Sequence, residues 1–388
     1  MAGDSKVVVI GGGYGGTEVA KGLDKDFAVT LVTGQETMVH AMAGARGSVQ
    51  PGWEIRCLVP YTSLLKRGKI FTSRVSRIDP DASKVTLTTG EVLDYDYLVL
   101  ATGILGPKTV GYCGTATTKE QQLAAFTKRQ SEIAEASNIL IVGGGPVGIE
   151  LAGEIMETHP SKKVTLVTSK ALMVYPIALF EKLRTNLKTK MEAAGVTVHL
   201  NAGHVTISGE DVEETGFIKG RRSYEWNGGS MEADLCIVAT GSTQTPSLYA
   251  DSGLGSWLDE KGQIKVDSKT LEVKEAGGGG KIFAVGDCVN LPIPKLGYLA
   301  GEAAKGLCKN VRASAAGKPL KDVAPPVMAI QLVPFGSKGG VGQLPFTMLG
   351  NWSMKMMKSK GLFCGKTWAA LNAGKPPAVM TSMVAASK

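Results

Sequence analysis

Two glycine-rich segments are the part of the sequence best suited to binding and chemistry. Residues 11–16 read GGGYGG after a β-branched run at 6–10, and residues 143–148 read GGGPVG after a similar run at 138–142. Both segments match GxGxxG between a strand and a helix, the context in which this motif binds a dinucleotide. The first glycine allows a tight turn, the second lets the backbone approach a pyrophosphate, and the third lets the helix pack on the strand. The phosphates would then lie at the amino end of a helix, where free N–H groups favour an anion.

The same order of elements occurs twice along the chain. Each glycine segment opens a βαβ unit, and each unit is followed by a strand that ends in Ala-Thr-Gly, at 101–103 and at 239–241. Internal repetition of this kind indicates two similar structural units. We therefore predict an α/β fold with two Rossmann-like dinucleotide-binding domains and a small C-terminal α+β region. Helices are also expected over 119–136, 178–194 and 296–316, and a strand over 282–285.

The expected domain boundaries follow from these repeats. The first dinucleotide-binding domain is discontinuous, comprising residues 1–107 and 276–322, and the second domain is inserted into it at 108–275. A Pro-Pro pair then marks the start of a third region at 323–388, because consecutive prolines interrupt regular structure.

Charge separates the third region from the rest of the chain. The sequence has 388 residues, 43% hydrophobic and 20% charged, with a formal net charge of +8. Residues 323–388 contain seven lysines and no acidic residue, so nearly all of the excess charge lies there. Nucleic acid is not expected as a partner, because no basic stripe interleaved with aromatic residues occurs elsewhere. The methionines at 348–357, with Trp352 and the lysines, predict either contact with an anionic membrane or lipid-droplet surface or simple domain packing.

Cysteine spacing and the terminal sequence exclude several classes of protein. The six cysteines, at 57, 113, 236, 288, 308 and 364, are too far apart in sequence for a CxxC pair or a zinc knuckle. A redox-active disulfide, an iron–sulfur cluster and a metal site are therefore not expected. The chain has no apolar signal sequence, no Gly at position 2 for myristoylation and no stretch of 18 apolar residues. A cytoplasmic location with peripheral membrane attachment is expected.

Neither repeat has the acidic residue that usually binds the ribose at the end of its second strand. In the first repeat Thr33 occupies this place, and Glu36 is the nearest acid. In the second repeat Ser169 and Lys170 follow the strand, and this pair tolerates a 2′-phosphate that an acid would repel. The second site is therefore expected to accept NADPH as well as NADH, although Lys170 also fits a solvated surface lysine.

Two carboxylates and one helix complete the candidate sites. Asp287 follows the strand at 282–285 and can accept hydrogen bonds from the ribityl hydroxyls of a flavin, or else serve as a turn residue. The helix that begins near Leu296 would direct its amino-terminal N–H groups at the flavin ring. Glu150, two residues beyond the second glycine motif, can point toward the nicotinamide carboxamide and orient its ring.

Together these features resemble the two-dinucleotide-fold flavoprotein reductases, and within them the apoptosis-inducing-factor-like NAD(P)H:quinone oxidoreductases. The similarity extends to His40 with 45–49, to 294–301, to 340–343, and to 358–363 with Trp368, whereas Thr33 stands where these proteins usually have Asp. The resemblance implies FAD in the first domain, NAD(P)H in the second, and a ubiquinone-like quinone as electron acceptor in a protein that protects against lipid peroxidation. A ferredoxin- or rubredoxin-type reductase and an NADH-sensing flavoprotein are the alternatives, and a homodimer is possible.

The motifs and the resemblance together give the expected site residues. Those expected to bind FAD are Gly11, Gly12, Gly13, Tyr14, Gly15, Gly16, Glu36, Arg46, Ile70, Thr102, Gly103, Asp287 and Leu296. Those expected to bind NAD(P)H are Gly143, Gly145, Gly148, Glu150, Ser169, Lys170 and Gly241. Glu150 and Lys295 are the expected catalytic residues, and Tyr298 and Phe335 are expected to form an apolar wall for the quinone.

Overall fold

The computed structural model describes residues 4–104, 115–172, 179–207, 216–241, 244, 246–277 and 279–379. Its α-helices are α1 (Tyr14–Leu23), α2 (Gly44–Val49), α3 (Glu54–Cys57), α4 (Lys119–Glu135), α5 (Pro146–Thr158), α6 (Glu181–Ala193), α7 (Ser247–Asp251), α8 (Gly297–Ala315), α9 (Asn351–Met354) and α10 (Cys364–Ala370). Its strands are β1 (Lys6–Ile10), β2 (Ala28–Thr33), β3 (Thr37–Val39), β4 (Leu58–Pro60), β5 (Lys69–Thr72), β6 (Val75–Asp79), β7 (Lys84–Leu87), β8 (Val92–Asp94), β9 (Tyr97–Leu100), β10 (Asn138–Val142), β11 (Lys163–Val167), β12 (Thr197–His199), β13 (Phe217–Trp226), β14 (Gly229–Val238), β15 (Ile282–Ala284), β16 (Gln331–Pro334), β17 (Gly340–Leu344) and β18 (Thr347–Leu349). None of the described helices is long and apolar enough to cross a membrane.

The first repeat forms a parallel sheet in the order β15-β9-β1-β2-β5. Four of the five residues of β1 and all of β15 are buried, which explains why these strands read as continuous apolar runs. Helix α1 packs on β1 and β2 and against α8. The glycine segment at 11–13 therefore lies at the carboxyl end of the central strand, directly before α1.

The second repeat forms a sheet of the same design in the order β12-β11-β10-β14-β13. Four of its strands are parallel, and the edge strand β13 runs antiparallel to β14. The register of β10 with β11 and β14 matches that of β1 with β2 and β9. The predicted internal repeat and the α/β fold class are therefore confirmed.

Three smaller sheets complete the described fold, and they are the pair β3-β4, the sheet β6-β7-β8 and the antiparallel sheet β16-β17-β18.

The domain boundaries stay a prediction, and the packing favours moving one of them. Tyr249, Trp257 and Val273 belong to the hydrophobic cluster of the first sheet, although the predicted boundary at residue 275 assigns them to the second domain. A boundary near residue 246 agrees better with this cluster.

The segment 351–371, which we call the strap, lies across both repeats. It comprises α9, a π-helical turn at Lys355–Ser359 and α10. Its buried side chains include Met354, Leu362 and Trp368, and the last two join the cluster of the first sheet. Its opposite side exposes Trp352 and neighbouring methionines. The strap therefore provides packing on one side and an apolar surface on the other.

Candidate dinucleotide sites

The first glycine motif forms an open cradle at the amino end of α1. Gly11 has φ of +112°, and a Cβ at this position would overlap the carbonyl oxygen of Ala101. A Cβ at Gly16 would overlap the carbonyl oxygen of Gly11. At Gly13, by contrast, a Cβ would meet nothing within 4 Å. Two glycines are thus needed for the fold, whereas the space beside Gly13 is left for a ligand.

The second motif repeats this geometry at the amino end of α5. Gly143 has φ of +127° and faces the backbone of Ala239, and a Cβ at Gly148 would overlap the carbonyl oxygen of Gly143. A Cβ added to Gly145 would meet nothing within 4 Å, so the backbone of this residue is accessible. The free N–H groups of a helix with an open glycine backbone suit a pyrophosphate. Both cradles therefore fit the phosphates of a dinucleotide.

The ribose side of the first cradle is organised without an acid. The hydroxyl of Tyr61 donates to the carbonyl of Gly12 at 2.7 Å, and Thr33 Oγ1 bonds the backbone of Gln35. Glu36 Oε2 accepts the backbone N–H of Lys119 at 2.7 Å, which places it at the amino end of α4. A ribose contact by Glu36 stays a prediction, as does an adenine contact by Ile70 on the outer strand β5.

A half-buried carboxylate forms the third side of the first site. Asp287 follows β15, and among the described residues no group hydrogen-bonds its carboxylate. Burial raises the pKa of Asp287, and the nearby ammonium group of Lys295 opposes this shift. Both residues line a pocket with Leu296, the residue that precedes α8. A carboxylate with unused acceptor capacity fits the ribityl hydroxyls of a flavin.

The loop after β9 is held by a residue that sequence reasoning missed. Tyr249, buried on α7, lies with its hydroxyl 2.9 Å from Thr102 Oγ1. The next residue, Gly103, has φ of +67°, and Gly241 in the second repeat has φ of +55°. A tyrosine so distant in sequence carries no local motif, so only the folded chain shows that it positions the predicted flavin loop.

Tyr14, predicted at the flavin, connects the first cradle to the strap. Its hydroxyl lies 2.9 Å from His40 Nδ1, and its ring packs against Gly297 at the start of α8. His40 Nε2 lies 2.7 Å from the carbonyl oxygen of Leu362. A carbonyl only accepts, so Nε2 carries the proton and Nδ1 accepts from Tyr14. Burial lowers the pKa of His40 from 6.5 to about 4, so the ring is neutral.

His40 predicts a defined loss of stability in acid. The unfolded chain protonates this histidine below pH 6.5 while the folded chain resists protonation down to about pH 4. Unfolding is therefore favoured as the pH falls through this window, by at most about 1.4 kcal/mol per pH unit. Urea unfolding of wild type and His40→Gln at pH 7.5, 6 and 4.5 should show the steeper loss in the wild type. The exposed His204→Gln is the matched control, and a wild-type slope unchanged by His40→Gln would contradict the expectation.

Arg46, predicted to contact FAD, lies in an ion pair between the two repeats. Its Nε and Nη2 each donate to the carboxylate of Glu154 on α5 at 2.8 Å. Its Nη1 donates to the carbonyl of Lys360 in the strap at 3.3 Å, and its guanidinium lies 4.7 Å from the ring centre of Trp53. These contacts of Arg46 are all with other residues of the protein, and its contact with FAD stays a prediction.

Glu150 also has a partner in the strap. Lys358 Nζ lies 3.0 Å from its carboxylate and 2.9 Å from the carbonyl oxygen of Leu332. Burial raises the pKa of Glu150, and Lys358 opposes the shift. Sequence reasoning placed Lys358 among the surface lysines. The signal for Lys358 and for Glu154 is the i, i+4 spacing of Glu150 and Glu154 among apolar residues of α5, because acids on a buried helix face require basic partners.

The remaining predicted residues lie on different elements of the fold. Ser169 and Lys170 are exposed after β11, where the ribose of a nucleotide at the second cradle would lie. Tyr298 is the second residue of α8 and is 37% exposed. Phe335 packs instead in the cluster of the second sheet, where its backbone touches Gly153. A shared quinone wall formed by Tyr298 and Phe335 stays a prediction.

Two parallel sheets, each with an open glycine cradle before a helix, define a class of protein with two dinucleotide sites. The family profile for pyridine nucleotide-disulphide oxidoreductase matches residues 5–311. The chain therefore belongs to this family, and this membership implies a flavin and a pyridine nucleotide as cofactors.

Individual relatives cover almost the whole chain. The chain is 33% identical to apoptosis-inducing factor homolog B of Dictyostelium discoideum, over 96% of this chain and 98% of that protein. It is 31% identical to ferroptosis suppressor protein 1 of Taeniopygia guttata, over 97% and 98%. Among solved structures, the sulfide:quinone oxidoreductase of Aquifex aeolicus superposes with a TM-score of 0.72 at 20% identity, over 96% of this chain and 93% of that chain.

Proposed function

We propose that this protein is an FAD-dependent NAD(P)H:quinone oxidoreductase. The observation that carries the proposal is the state of its cysteines. Four of the described cysteines, Cys236, Cys288, Cys308 and Cys364, are buried thiols, and burial raises the pKa of each. Thiol chemistry requires an accessible thiolate. These four thiols are therefore poorly suited to thiol–disulfide exchange, so an acceptor from outside the chain is favoured.

The names of the relatives indicate which acceptor to test first. Ferroptosis suppressor protein 1 is similar over its full length, and a sulfide:quinone oxidoreductase shares the fold. A bound flavin would supply the two-electron chemistry that links a nicotinamide to the acceptor. Asp287 would hold the ribityl chain, the amino end of α8 would face the flavin ring, and Glu150 would orient the nicotinamide. Lys295, half-buried beside Asp287, would balance its charge.

An anaerobic titration tests this proposal. NADH should bleach the visible absorption of the purified protein, and a short-chain ubiquinone should restore it through many turnovers. Heat-released flavin should chromatograph as FAD rather than FMN. Bleaching that quinone does not reverse would refute the assigned acceptor, and reoxidation by ferredoxin in its place would favour the ferredoxin-reductase alternative, whose fold is also similar.

We expect the second cradle to discriminate little between NADH and NADPH, because Lys170 is exposed after β11 and its charge suits a 2′-phosphate. Lys170→Glu should lower the ratio of kcat/KM for NADPH to that for NADH roughly tenfold, the effect of losing one charged hydrogen bond. Steady-state kinetics with both nucleotides measure this ratio. Lys163→Glu is the matched control, since Lys163 is exposed at the opposite end of the same strand. Equal ratios in the two variants would mean that Lys170 is only a surface lysine.

The strap and the β17-β18 hairpin are proposed to rest on an anionic membrane. Phe346 is 96% exposed, Trp352 75% and Met356 69%, and no acidic residue occurs in residues 323–388 to repel an anionic surface. Aromatic and aliphatic side chains next to lysines suit the membrane interface. A quinone dissolved in the bilayer would then be close to its reductase. A homodimer stays a prediction.

Polar substitutions on this surface test the membrane contact without touching the packed side of the strap. The triple change Phe346→Ser, Trp352→Ser and Met356→Ser should reduce sedimentation with phosphatidylserine vesicles severalfold, because it removes the exposed apolar area. Flavin absorption should not change. Val92→Ser, on a different sheet and 53% exposed, is the control. Undiminished sedimentation of the triple variant would contradict the proposed surface.

A further inference from the structure

The ion pair between Arg46 and Glu154 joins a helix of the first repeat to a helix of the second. Only 1% of the Arg46 side chain and 4% of the Glu154 side chain are exposed. Both carboxylate oxygens accept hydrogen bonds from the guanidinium, so the pairing is bidentate and restricts the orientation of the two groups. The pair therefore sets a relative position for α2 and α5, which pack against each other.

The ion pair is not needed merely to hold α2 against the second repeat. Ala45 and Val49 on α2 already pack into the apolar cluster of the second sheet. Removing two charges from water is unfavourable, and replacing a buried pair by apolar residues is often neutral or stabilising. A pair of this kind is better explained by the geometry that it imposes than by the stability that it adds.

The strap lies against the contact between α2 and α5, and part of its own backbone is strained there. Leu362 and Phe363 have φ of 47° and 59°, a left-handed conformation that is strained for residues other than glycine. The preceding turn is π-helical, a rare form that is frequent at functional sites. The result is that the carbonyls of Lys360 and Leu362 point inward, to Arg46 and His40. Strain at this point is consistent with a functional requirement.

The contact between α2 and α5 affects the second dinucleotide site, because α5 begins at the second glycine cradle. Glu150 and Glu154 are four residues apart and so lie on the same side of that helix. Glu154 is held by Arg46 and Glu150 by Lys358, which means that the strap and α2 fix one face of α5 at two successive turns. Any change in the position of Glu154 moves Glu150 with it.

We propose that Arg46, Glu154 and the carbonyl of Lys360 form a clasp that sets the position of α5 relative to the first repeat, and thereby the alignment of the nicotinamide with the flavin. Arg46 and Glu154 are positioning residues in this account, which rests on the proposed reductase function. A displacement of about 1 Å between reacting groups slows a reaction on the order of a hundredfold. The clasp therefore acts on the rate of hydride transfer, not on flavin binding.

The test compares two variants of the clasp with wild type. The double variant Arg46→Met/Glu154→Met removes both charges together, so that neither group is left buried and unpaired. Arg46→Lys keeps the charge and removes the planar fork, which decides the question if the double variant does not fold. Arg221→Met/Glu232→Met is the matched control, since it removes an Arg–Glu pair that is exposed on β13 and β14.

Stopped-flow reduction of the flavin at saturating NADH is the decisive measurement. Both clasp variants should retain a full complement of flavin and be reduced at least about tenfold more slowly, with the control unchanged. Reduction at the wild-type rate would overturn the clasp, and so would loss of flavin from Arg46→Lys, because this would assign Arg46 to flavin binding. Wild-type protein that NADH does not reduce would instead refute the reductase function, and the clasp with it.

Discussion

Gly145→Ala should weaken the binding of NADH strongly while leaving the flavin bound and the fold intact. The backbone of Gly145 has φ of −79°, which alanine adopts freely, and a methyl group there would touch no atom of the protein. It would occupy the space through which a pyrophosphate approaches the amino end of α5. We expect the dissociation constant for NADH to rise on the order of a hundredfold, which corresponds to about 2.7 kcal/mol. Flavin reduction followed against NADH concentration gives this value directly.

Two further glycine variants make this result specific. Gly13→Ala is its counterpart in the first cradle, where the space is equally open, and it should give a folded protein that has lost its flavin. Gly148→Ala should not fold, because its methyl group would overlap the carbonyl oxygen of Gly143. If Gly145→Ala binds NADH normally, the second cradle is not the nicotinamide nucleotide site.

Glu154→Ala should destabilise the protein strongly because it leaves the guanidinium of Arg46 buried without a counter-charge. Truncating one partner of a buried ion pair costs about 3–5 kcal/mol. Burial raises the pKa of Glu154, and the guanidinium of Arg46 opposes this shift. Urea unfolding at pH 7.5, followed by tryptophan fluorescence, measures the loss in the free energy of unfolding.

The surface offers a pair of the same residue types for comparison. Glu232 pairs with Arg221, but about half of each side chain or more is exposed, so water replaces the lost partner. Glu232→Ala should therefore lose only a small fraction of the stability that Glu154→Ala loses. The double variant Arg46→Met/Glu154→Met should recover much of the loss, since no unpaired charge remains. Equal losses for Glu154→Ala and Glu232→Ala would show that burial of the pair is not important.

The fold was predictable because its signals are local and occur twice. The β-branched runs, the glycine motifs and the Ala-Thr-Gly strand ends each act within a few residues, and their repetition made the two sheets evident. The helices predicted at 119–136 and 296–316 lie at Lys119–Glu135 and Gly297–Ala315. The predicted strand at 282–285 is β15 at Ile282–Ala284. Helices and strands that depend on local signals can be predicted without knowing which distant residues are in contact.

The contacts between the site residues could not be predicted, because they join residues that are far apart in the sequence. Arg46 and Glu154 are 108 residues apart, and Glu150 and Lys358 are 208 apart. No spacing rule joins such residues, so Lys358 was indistinguishable from the solvated lysines around it. The methionines gave two interpretations: Met354 is buried, as domain packing predicts, whereas Met356 is exposed, and its contact with a membrane stays a prediction.

The sequence distances across the strap also determine the order of events during synthesis. Leu362 meets His40 across 322 residues, and Trp368 meets Arg56 across 312. Domains fold as units while the chain is being made, so both sheets exist before the ribosome has produced the segment that fastens them together. A nascent chain at that stage has both glycine cradles and the contact between α2 and α5, but it lacks the strap carbonyls that bond Arg46 and His40. The strap is therefore the last part of this contact region to be added during synthesis.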